Sequence, residues 1–282
     1  FRLAEAQFRT QKNEDSIENG KKAVELYLAL GDLSGAGRTY WAMANAYEQN
    51  RQIENFQEAI QKAFEYCQQA GDGYGIGNAL NVMSVIEPDI AKAIRTRQQA
   101  IEAFEKAGYL DRVQVPKGNL AISYLELGMY SHSLRLQREV LEASRKMNAK
   151  LSMVYAMGNM PNPQISLGQI EAAQATQEEF APLAETIGDP GMEMQAQANW
   201  AELSFAKGDL KAAIRHQKAA LKIVREHQLG REVSTLADLG RVYLAVSQSF
   251  GCKTRRHDRC EPFSLDANRE CRAPAQMQIC AL

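Results

Sequence analysis

Apolar residues recur at steps of three and four along most of the chain, which is the period of an α-helix and not of a strand. The segment SIENGKKAVELYLAL is typical: Ile17, Val24 and Tyr27 keep helical spacing, and polar or charged residues lie between them. Glycines or short polar stretches separate one such segment from the next. The pattern therefore predicts a succession of amphipathic helices.

The helices come in pairs that repeat about every 40 residues. Three sets of residues keep this register: the glycines Gly128, Gly168 and Gly208, the glutamines Gln137, Gln177 and Gln217, and the small residues Ala93, Ser133, Ala173 and Ala213. A single helix pair cannot bury its own apolar face, so neighbouring pairs must stack. The sequence therefore predicts an all-α fold, a right-handed α-solenoid of antiparallel helix pairs with about six repeats of 37–40 residues.

The ends of the second helices set the number of repeats. They fall 37 to 40 residues apart, at Gly31, Gly71, Gly108, Asn148, Gly188 and Gln228. This spacing predicts a partial first unit, five whole units and the opening helix of a seventh, which ends near Val246. We expect a repeat domain over residues 1–246 and an irregular tail over residues 247–282.

The stretch DLSGAGRT, residues 32 to 39, differs from a phosphate-binding P-loop at two positions, Asp32 and Arg38. A P-loop follows a strand, whereas the segment before Asp32 has helical periodicity. The motif GDLSGAG also returns 40 residues later, at Gly71, as GDGYGIG without the basic residue. We therefore predict a joint between two helices here and no nucleotide site.

The first helices carry the spacing L-x-x-x-Y-x-x-x-G, at Leu120, Tyr124 and Gly128, and the second helices carry a small residue, as at Ala173 and Ala213. Large aromatic residues follow on the second helices, at Phe64, Phe104 and Phe180. In these features the chain resembles the tetratricopeptide repeat family over about residues 1–246. The resemblance implies an α-solenoid whose concave groove binds a peptide or protein partner.

The spacing of about 40 residues and the GDxxGxG joint look like the longer repeats attached to bacterial signalling proteins. These include class III adenylate or guanylate cyclases, AAA-type ATPases and large transcription regulators. The resemblance implies the interaction arm of a larger bacterial protein, and it shows no catalytic residue in this chain.

Two prolines interrupt the first helix of the fifth repeat, at Pro161 and Pro163. Proline removes a backbone donor and clashes with the preceding turn, so we predict that this helix stops or kinks near Met160. A hinge, an opened groove and a tolerated irregularity all fit the pattern. Pro88 falls between the two helices of the third repeat, and we interpret the carboxylates beside it, Glu87 and Asp89, as part of a solvated turn.

Asparagine occupies the same position of three successive first helices, at Asn119, Asn159 and Asn199. The amide offers both a donor and an acceptor, which suits an extended peptide backbone. The resemblance implies that these asparagines line the groove and hold a partner peptide, with Lys117 and Arg38 as candidate charges on the same face. The equivalent positions elsewhere are Ala42, Ala79 and Asp238, so the ladder covers only the central repeats, and solvation of an exposed helix face is the alternative.

Composition narrows the classes of partner. The 282 residues carry a formal net charge of -1, which gives no electrostatic case for nucleic acid or an anionic membrane surface. No run of apolar residues is long enough to span a bilayer. Cys67 stands alone in the first 250 residues, so we expect a reduced, cytoplasmic protein. The chain opens at Phe1 inside a predicted helix, and we interpret it as part of a longer protein.

Four cysteines crowd the tail, at Cys252, Cys260, Cys271 and Cys280, with His257 among them. Thiolate and imidazole are preferred zinc ligands, but no C-x-x-C pair occurs. We therefore predict no metal, and we interpret the tail as disordered or as foreign to the repeat fold. No nucleophile–base pair or intact phosphate loop is found either, so no catalytic residue and no cofactor is predicted.

Three hypotheses of function follow. The first is a non-catalytic scaffold that binds a peptide or protein in its groove, as the arm of a bacterial signalling protein. The second is a fragment of a multidomain nucleotide cyclase or ATPase whose catalytic domain lies outside this chain. The third is a structural module that self-associates, so a homo-oligomer is among the arrangements left open.

Overall fold

The computed structural model describes residues 1–254, and within that range the chain is all-helical, without strands. The helices are α1 Arg2–Arg9, α2 Asn13–Ala29, α3 Leu33–Gln49, α4 Ile53–Gln69, α5 Gly73–Ile86, α6 Ile90–Lys106, α7 Gln114–Glu126, α8 Tyr130–Lys146, α9 Lys150–Gly158, α10 Pro161–Ser166, α11 Ile170–Ile187, α12 Pro190–Ala206, α13 Leu210–Glu226 and α14 Glu232–Thr254.

Consecutive helices pack as pairs, most extensively α3 with α4, α5 with α6, and α12 with α13. First helices also contact the first helices of neighbouring repeats, as α1 with α3 and α10 with α12. This is the stacking of helix pairs that defines an α-solenoid, and it confirms the predicted fold class.

The chain divides into two compact units, residues 1–123 (unit 1) and the residues from 124 onward (unit 2). The core of unit 1 gathers around Trp41, against which Phe8 packs edge-to-face with the ring centroids 5.6 Å apart. The core of unit 2 includes Met157 and Phe180, both almost fully buried. Each unit therefore has apolar burial of its own.

The helix joints use the left-handed backbone conformation. Glycine supplies it at Gly31, Gly71, Gly108, Gly128, Gly168, Gly188, Gly208 and Gly230, while other residues adopt it at Gln11, Arg51, Asn148 and Gln228. After Gly31, the carboxylate of Asp32 caps α3 by accepting a hydrogen bond from the backbone N–H of Gly35 at 2.8 Å. Helix α2 and not a strand precedes this stretch, so the joint between two helices is confirmed: it lies at Gly31 and Asp32, and the rest of DLSGAGRT forms the start of α3.

Both proline predictions are confirmed. Helix α9 ends at Gly158 and α10 begins at Pro161, so the break lies around Met160. Pro88 lies between α5 and α6, where Asp89 caps α6 by accepting hydrogen bonds from the N–H groups of Ala91 and Lys92.

The last helix is longer than the sequence pattern predicts. Apolar periodicity fades near Val246, yet α14 continues to Thr254 because no proline or capping residue stops it before then. Residues 255–282, including Cys260, Cys271 and Cys280, lie outside the described residues, as does the side chain of Cys252. The interpretation of the tail therefore stays a prediction.

Candidate functional site

Asn119 lies in the middle of α7, with 8% of its surface exposed. Its Nδ2 donates a hydrogen bond to Oδ1 of Asn81 on α5, at 3.0 Å. Counting by repeats places Ala79 opposite Asn119. The bond runs instead to Asn81, two residues further along, in a repeat that is three residues shorter, with 37 residues between Gly71 and Gly108. Asn81 is therefore a site residue that sequence reasoning missed.

Two further buried asparagines lie on the first helices of unit 1. Nδ2 of Asn45 donates to the carbonyl oxygen of Trp41 at 2.7 Å, and Nδ2 of Asn78 donates to that of Tyr74 at 2.9 Å. Each bond runs to the residue four positions back in the same helix and uses only the donor half of the amide. Together with Asn81 and Asn119 they are called the unit 1 asparagines.

The other halves of these amides have no protein partner within residues 1–254. Oδ1 of Asn45, Asn78 and Asn119 accepts no hydrogen bond there, and Nδ2 of Asn81 donates none. None of these four atoms is among the fully enclosed unpaired atoms, so each is open to solvent. The unit 1 asparagines therefore present three acceptors and one donor to a molecule outside the fold.

The two asparagines of unit 2 differ from each other. Asn159 is half-buried, and its Nδ2 donates to the carbonyl oxygen of Tyr155 at 2.9 Å. Asn199 is fully buried; it donates to the carbonyl oxygen of Gly158 and accepts from Nε2 of Gln195, both at 2.9 Å. Asn199 thus ties α12 to the end of α9, and in this conformation it cannot touch a ligand. Its assignment to the groove is corrected on that ground.

Arg38 also has a structural partner. Its Nε and Nη2 donate to the two carboxylate oxygens of Asp72 at 2.6 and 2.7 Å, and Ser34 donates to the same carboxylate at 2.8 Å. Burial would raise the pKa of Asp72, but the hydrogen bonds from Arg38 and Ser34 and the charge of Arg38 hold it below its usual value. The bidentate pair joins α3 to the start of α5, so this arrangement assigns Arg38 to packing between repeats.

Lys117 lies two residues before Asn119 on α7 and is half-buried. Two residues correspond to about 200° around an α-helix, so the two side chains leave the helix on opposite sides. Lys117 therefore does not share a face with Asn119, which corrects the expectation that it adds charge beside the asparagines.

Asp238 occupies the asparagine position on α14, next to the ion pair of Arg241 with Glu202. Burial and the negative charge of Glu202 raise the pKa of Asp238 to about 6, while Arg241 acts against that rise. The guanidinium of Arg241 also lies over the ring of Phe205, 4.6 Å from its centroid. A carboxylate thus stands in unit 2 where the neighbouring first helices have an amide.

Within residues 1–254, no helix is both long and apolar enough to cross a bilayer. Among residues 1–247, whose side chains the structure describes, no three His, Cys, Asp or Glu side chains come together as a metal-binding group would require.

Neither a protein-family profile nor a curated protein matches the chain. Solved structures do resemble it. A Rap protein complexed with competence and sporulation factor has a TM-score of 0.69 at 14% identity, over 89% of this chain and 72% of that one. BtubC from P. vanneervenii has a TM-score of 0.58 at 15% identity, over 90% and 97% of the two chains.

A third structure is a Signal Transduction ATPase with Numerous Domains from Pyrococcus horikoshii, which has a tetratricopeptide repeat sensor. Its TM-score is 0.63 at 16% identity, over 86% of this chain but only 38% of that one. At these identities the likeness is one of fold alone. The chain is thus an all-α helical-repeat protein with a tetratricopeptide-like fold.

Proposed function

We propose that this chain is a scaffold that binds a peptide or an extended protein segment along the first helices of its repeats. The observation that carries the proposal is the set of half-paired amides of the unit 1 asparagines. Each of these amides has one half that no other described residue satisfies, and a bound ligand takes the place of water at that half.

The chemistry of these groups favours a main chain as the ligand. Three acceptors and one donor match the N–H and C=O groups that every peptide unit carries. A charged ligand would call for ionised side chains, whereas the unit 1 asparagines are neutral. Main-chain recognition gives affinity, and side-chain specificity must come from the surrounding residues. The likeness in fold to a Rap protein complexed with competence and sporulation factor supports a binding function.

Within unit 2, Asn159 is a separate candidate ligand residue. Its Nδ2 is used within α9, but its Oδ1 accepts no hydrogen bond from residues 1–254, and the side chain is half-buried. This leaves one more acceptor for a main-chain N–H. Asn119 and Asn159 thus remain candidate ligand residues, and Asn45, Asn78 and Asn81 join them.

A second candidate function is that of a sensory arm in a larger signalling protein. The comparison with the archaeal signalling ATPase favours it, because a fold like this one forms only 38% of that protein. In this arrangement, ligand binding to the repeats would regulate a domain outside the chain. A link to nucleotide cyclases rests on the sequence resemblance alone.

The test is a selection of binders from a phage-displayed library of random peptides, followed by fluorescence anisotropy with one selected peptide. Asn81→Ala and Asn119→Ala should each weaken binding about 10-fold, the effect of losing one hydrogen bond. Asn13→Ala is the matched control, since Nδ2 of Asn13 donates to Oδ1 of Asn50 in the same unit at the same 3.0 Å. The control should bind the peptide as tightly as wild type.

Two results would contradict the proposal. One is a selected peptide that binds the Asn81 and Asn119 variants with unchanged affinity, which would exclude these amides. The other is a library that yields no binder at all, which would leave the first helices without peptide affinity. Circular dichroism of each variant separates loss of binding from loss of fold.

A further inference from the structure

Helix α14 exposes a continuous stripe without charge. The stripe consists of Val233, Leu236, Ala237, Gly240, Tyr243, Leu244 and Ser247. These residues recur at three- and four-residue steps and so share one face of the helix. Val233 is 83% exposed and Leu244 57% exposed. Large apolar side chains are therefore held in water along about four helical turns.

Two of the second helices expose charged faces instead. Helix α13 presents Lys211, Arg215, Lys218, Lys222 and Arg225 to solvent, and α8 presents Arg135, Arg138, Glu142, Arg145 and Lys146. These two solvated helices carry charge at almost every turn, although single apolar side chains such as Leu26 are also exposed on other helices. The α14 stripe departs from that rule, as expected of a face that another surface covers.

The same face is covered one repeat earlier. The residues 39 positions before Val233, Leu236, Gly240 and Tyr243 are Met194, Gln197, Ala201 and Ser204 on α12. There Met194 packs with Ala220 and Val224 of α13, and Oε1 of Gln197 lies 2.9 Å from Nδ1 of His216 on α13. The α14 stripe therefore has the design of a surface that receives a helix.

We infer that α14 of a second copy of this chain covers the stripe, so that the protein forms a two-fold dimer with antiparallel α14 helices. The side chains of the stripe are large at its two ends and small in its middle. An axis near residue 239 places Val233 and Leu236 of one copy against Leu244 and Tyr243 of the other. Ala237 of each copy then faces Gly240 of its partner, and these small residues let the helices approach closely.

The charged residues beside the stripe and the open space at Gly240 are compatible with this antiparallel pairing. The charged residues of α14 around the stripe, Arg231, Glu232, Asp238 and Arg241, fall opposite uncharged positions of the antiparallel partner. Lys218 of α13 also borders the stripe, with its Nζ 5.8 Å from the centroid of the Tyr243 ring. A Cβ added at Gly240 would have nothing within 4 Å in the single chain. The room beside Gly240 is therefore open to a second helix.

The test is sedimentation of the full chain under reducing conditions, so that disulfides play no part. At about 100 µM, wild type should sediment as a dimer of the 31.4 kDa chain and should dissociate on dilution. Leu236→Glu should raise the dimer dissociation constant at least about 10-fold, because it places a charge inside the interface. The matched control is Leu26→Glu on α2, where Leu26 is 66% exposed and lies off the stripe; it should not change dimerisation.

Gly240→Gln separates dimerisation from folding. It adds helix propensity to a position with open space, so the melting temperature of the dilute protein should hold or rise. The same side chain blocks close approach of a second helix, so the dimer should weaken. A wild type that stays monomeric at about 100 µM, or a dimer that tolerates both Leu236→Glu and Gly240→Gln, would overturn the inference.

Discussion

The side-chain amide of Gln177 on α11 donates a hydrogen bond to the carbonyl oxygen of Ala196 on α12, with a nitrogen–oxygen distance of 2.9 Å. Gln217 does the same to the carbonyl oxygen of Thr235, one repeat later, at 3.2 Å. Both glutamines are almost fully buried. At Gln177 and Gln217, the glutamine register read from the sequence therefore marks bonds that tie a second helix to the first helix of the next repeat.

Gln177→Glu is expected to destabilise the protein strongly. Oε1 of Gln177 has no partner, so an ionised carboxylate in its place would be buried without a donor and should cost about 3 kcal/mol or more. Gln177→Met keeps the volume without the charge and should cost less than about 1.5 kcal/mol. Urea unfolding at neutral pH measures both, with the exposed Gln99→Glu on α6 as the control. A glutamate variant as stable as wild type would contradict the prediction, because it would show that water reaches the side chain at position 177.

Gly75→Ala should destabilise unit 1 by about 1–3 kcal/mol, since a Cβ at Gly75 would overlap the sulfur of Cys67. Gly118→Ala on α7 meets nothing within 4 Å and should instead add about 0.5–1 kcal/mol through helix propensity. Thermal melting distinguishes the two. Adding Cys67→Ala should restore part of the loss at Gly75, and a double variant no better than Gly75→Ala would refute the proposed overlap.

Asp238→Asn should stabilise the protein above pH 6 and have little effect near pH 4. The pKa of Asp238 is raised from 3.8 to about 6, so the folded chain holds this proton more tightly than the unfolded chain does. Stability from this group therefore falls as pH rises from 3.8 to 6 and then stays constant. Asparagine does not ionise, so the variant does not lose this stability as the pH rises. Melting temperatures of variant and wild type across this pH range would test it, and a gain that does not depend on pH would contradict the assignment.

Asp72→Asn should act in the opposite sense. Its pKa is held below 3.8, so its ionised form stabilises the fold above that value, and this stabilisation is lost as pH falls through the folded pKa. At neutral pH the variant should lose about 1–3 kcal/mol, because half-buried Arg38 loses its anionic partner and keeps only the neutral groups of Tyr109 and Tyr74 beside it. Glu58→Gln, which breaks an exposed pair with Lys62, should cost less than about 0.5 kcal/mol. Equal losses in the two variants would mean that burial of Arg38 has no effect.

The helices and their joints follow from the sequence because each depends on local chemistry. Helical periodicity, left-handed residues at Gly128 or Gly168, and the prolines at 161 and 163 act within a few residues of the chain. The end of α14 lies eight residues after the predicted end at Val246, because no proline or capping residue marks where this helix stops.

The site is less predictable because it depends on contacts between helices. Asn159 and Asn199 share a register, yet one is half-buried and the other is fully buried. The break after Gly158 leaves its carbonyl oxygen to accept from Asn199, and no repeat pattern encodes that bond. Asn81 was missed because three residues are lacking from its repeat, and the partner of Arg38 lies 34 residues away.

Four joints place Gln11, Arg51, Asn148 and Gln228 in a backbone conformation that suits glycine better. These four residues lie in the joints between helices. Asparagine adopts this conformation more readily than most residues, so Asn148 can stay. Replacing Gln11, Arg51 and Gln228 by glycine would relieve strain of about 1 kcal/mol at each position. The sequence is thus below the greatest stability that this fold can reach. Substitutions in the joints would stabilise the protein as a scaffold for grafted binding surfaces without altering a core residue.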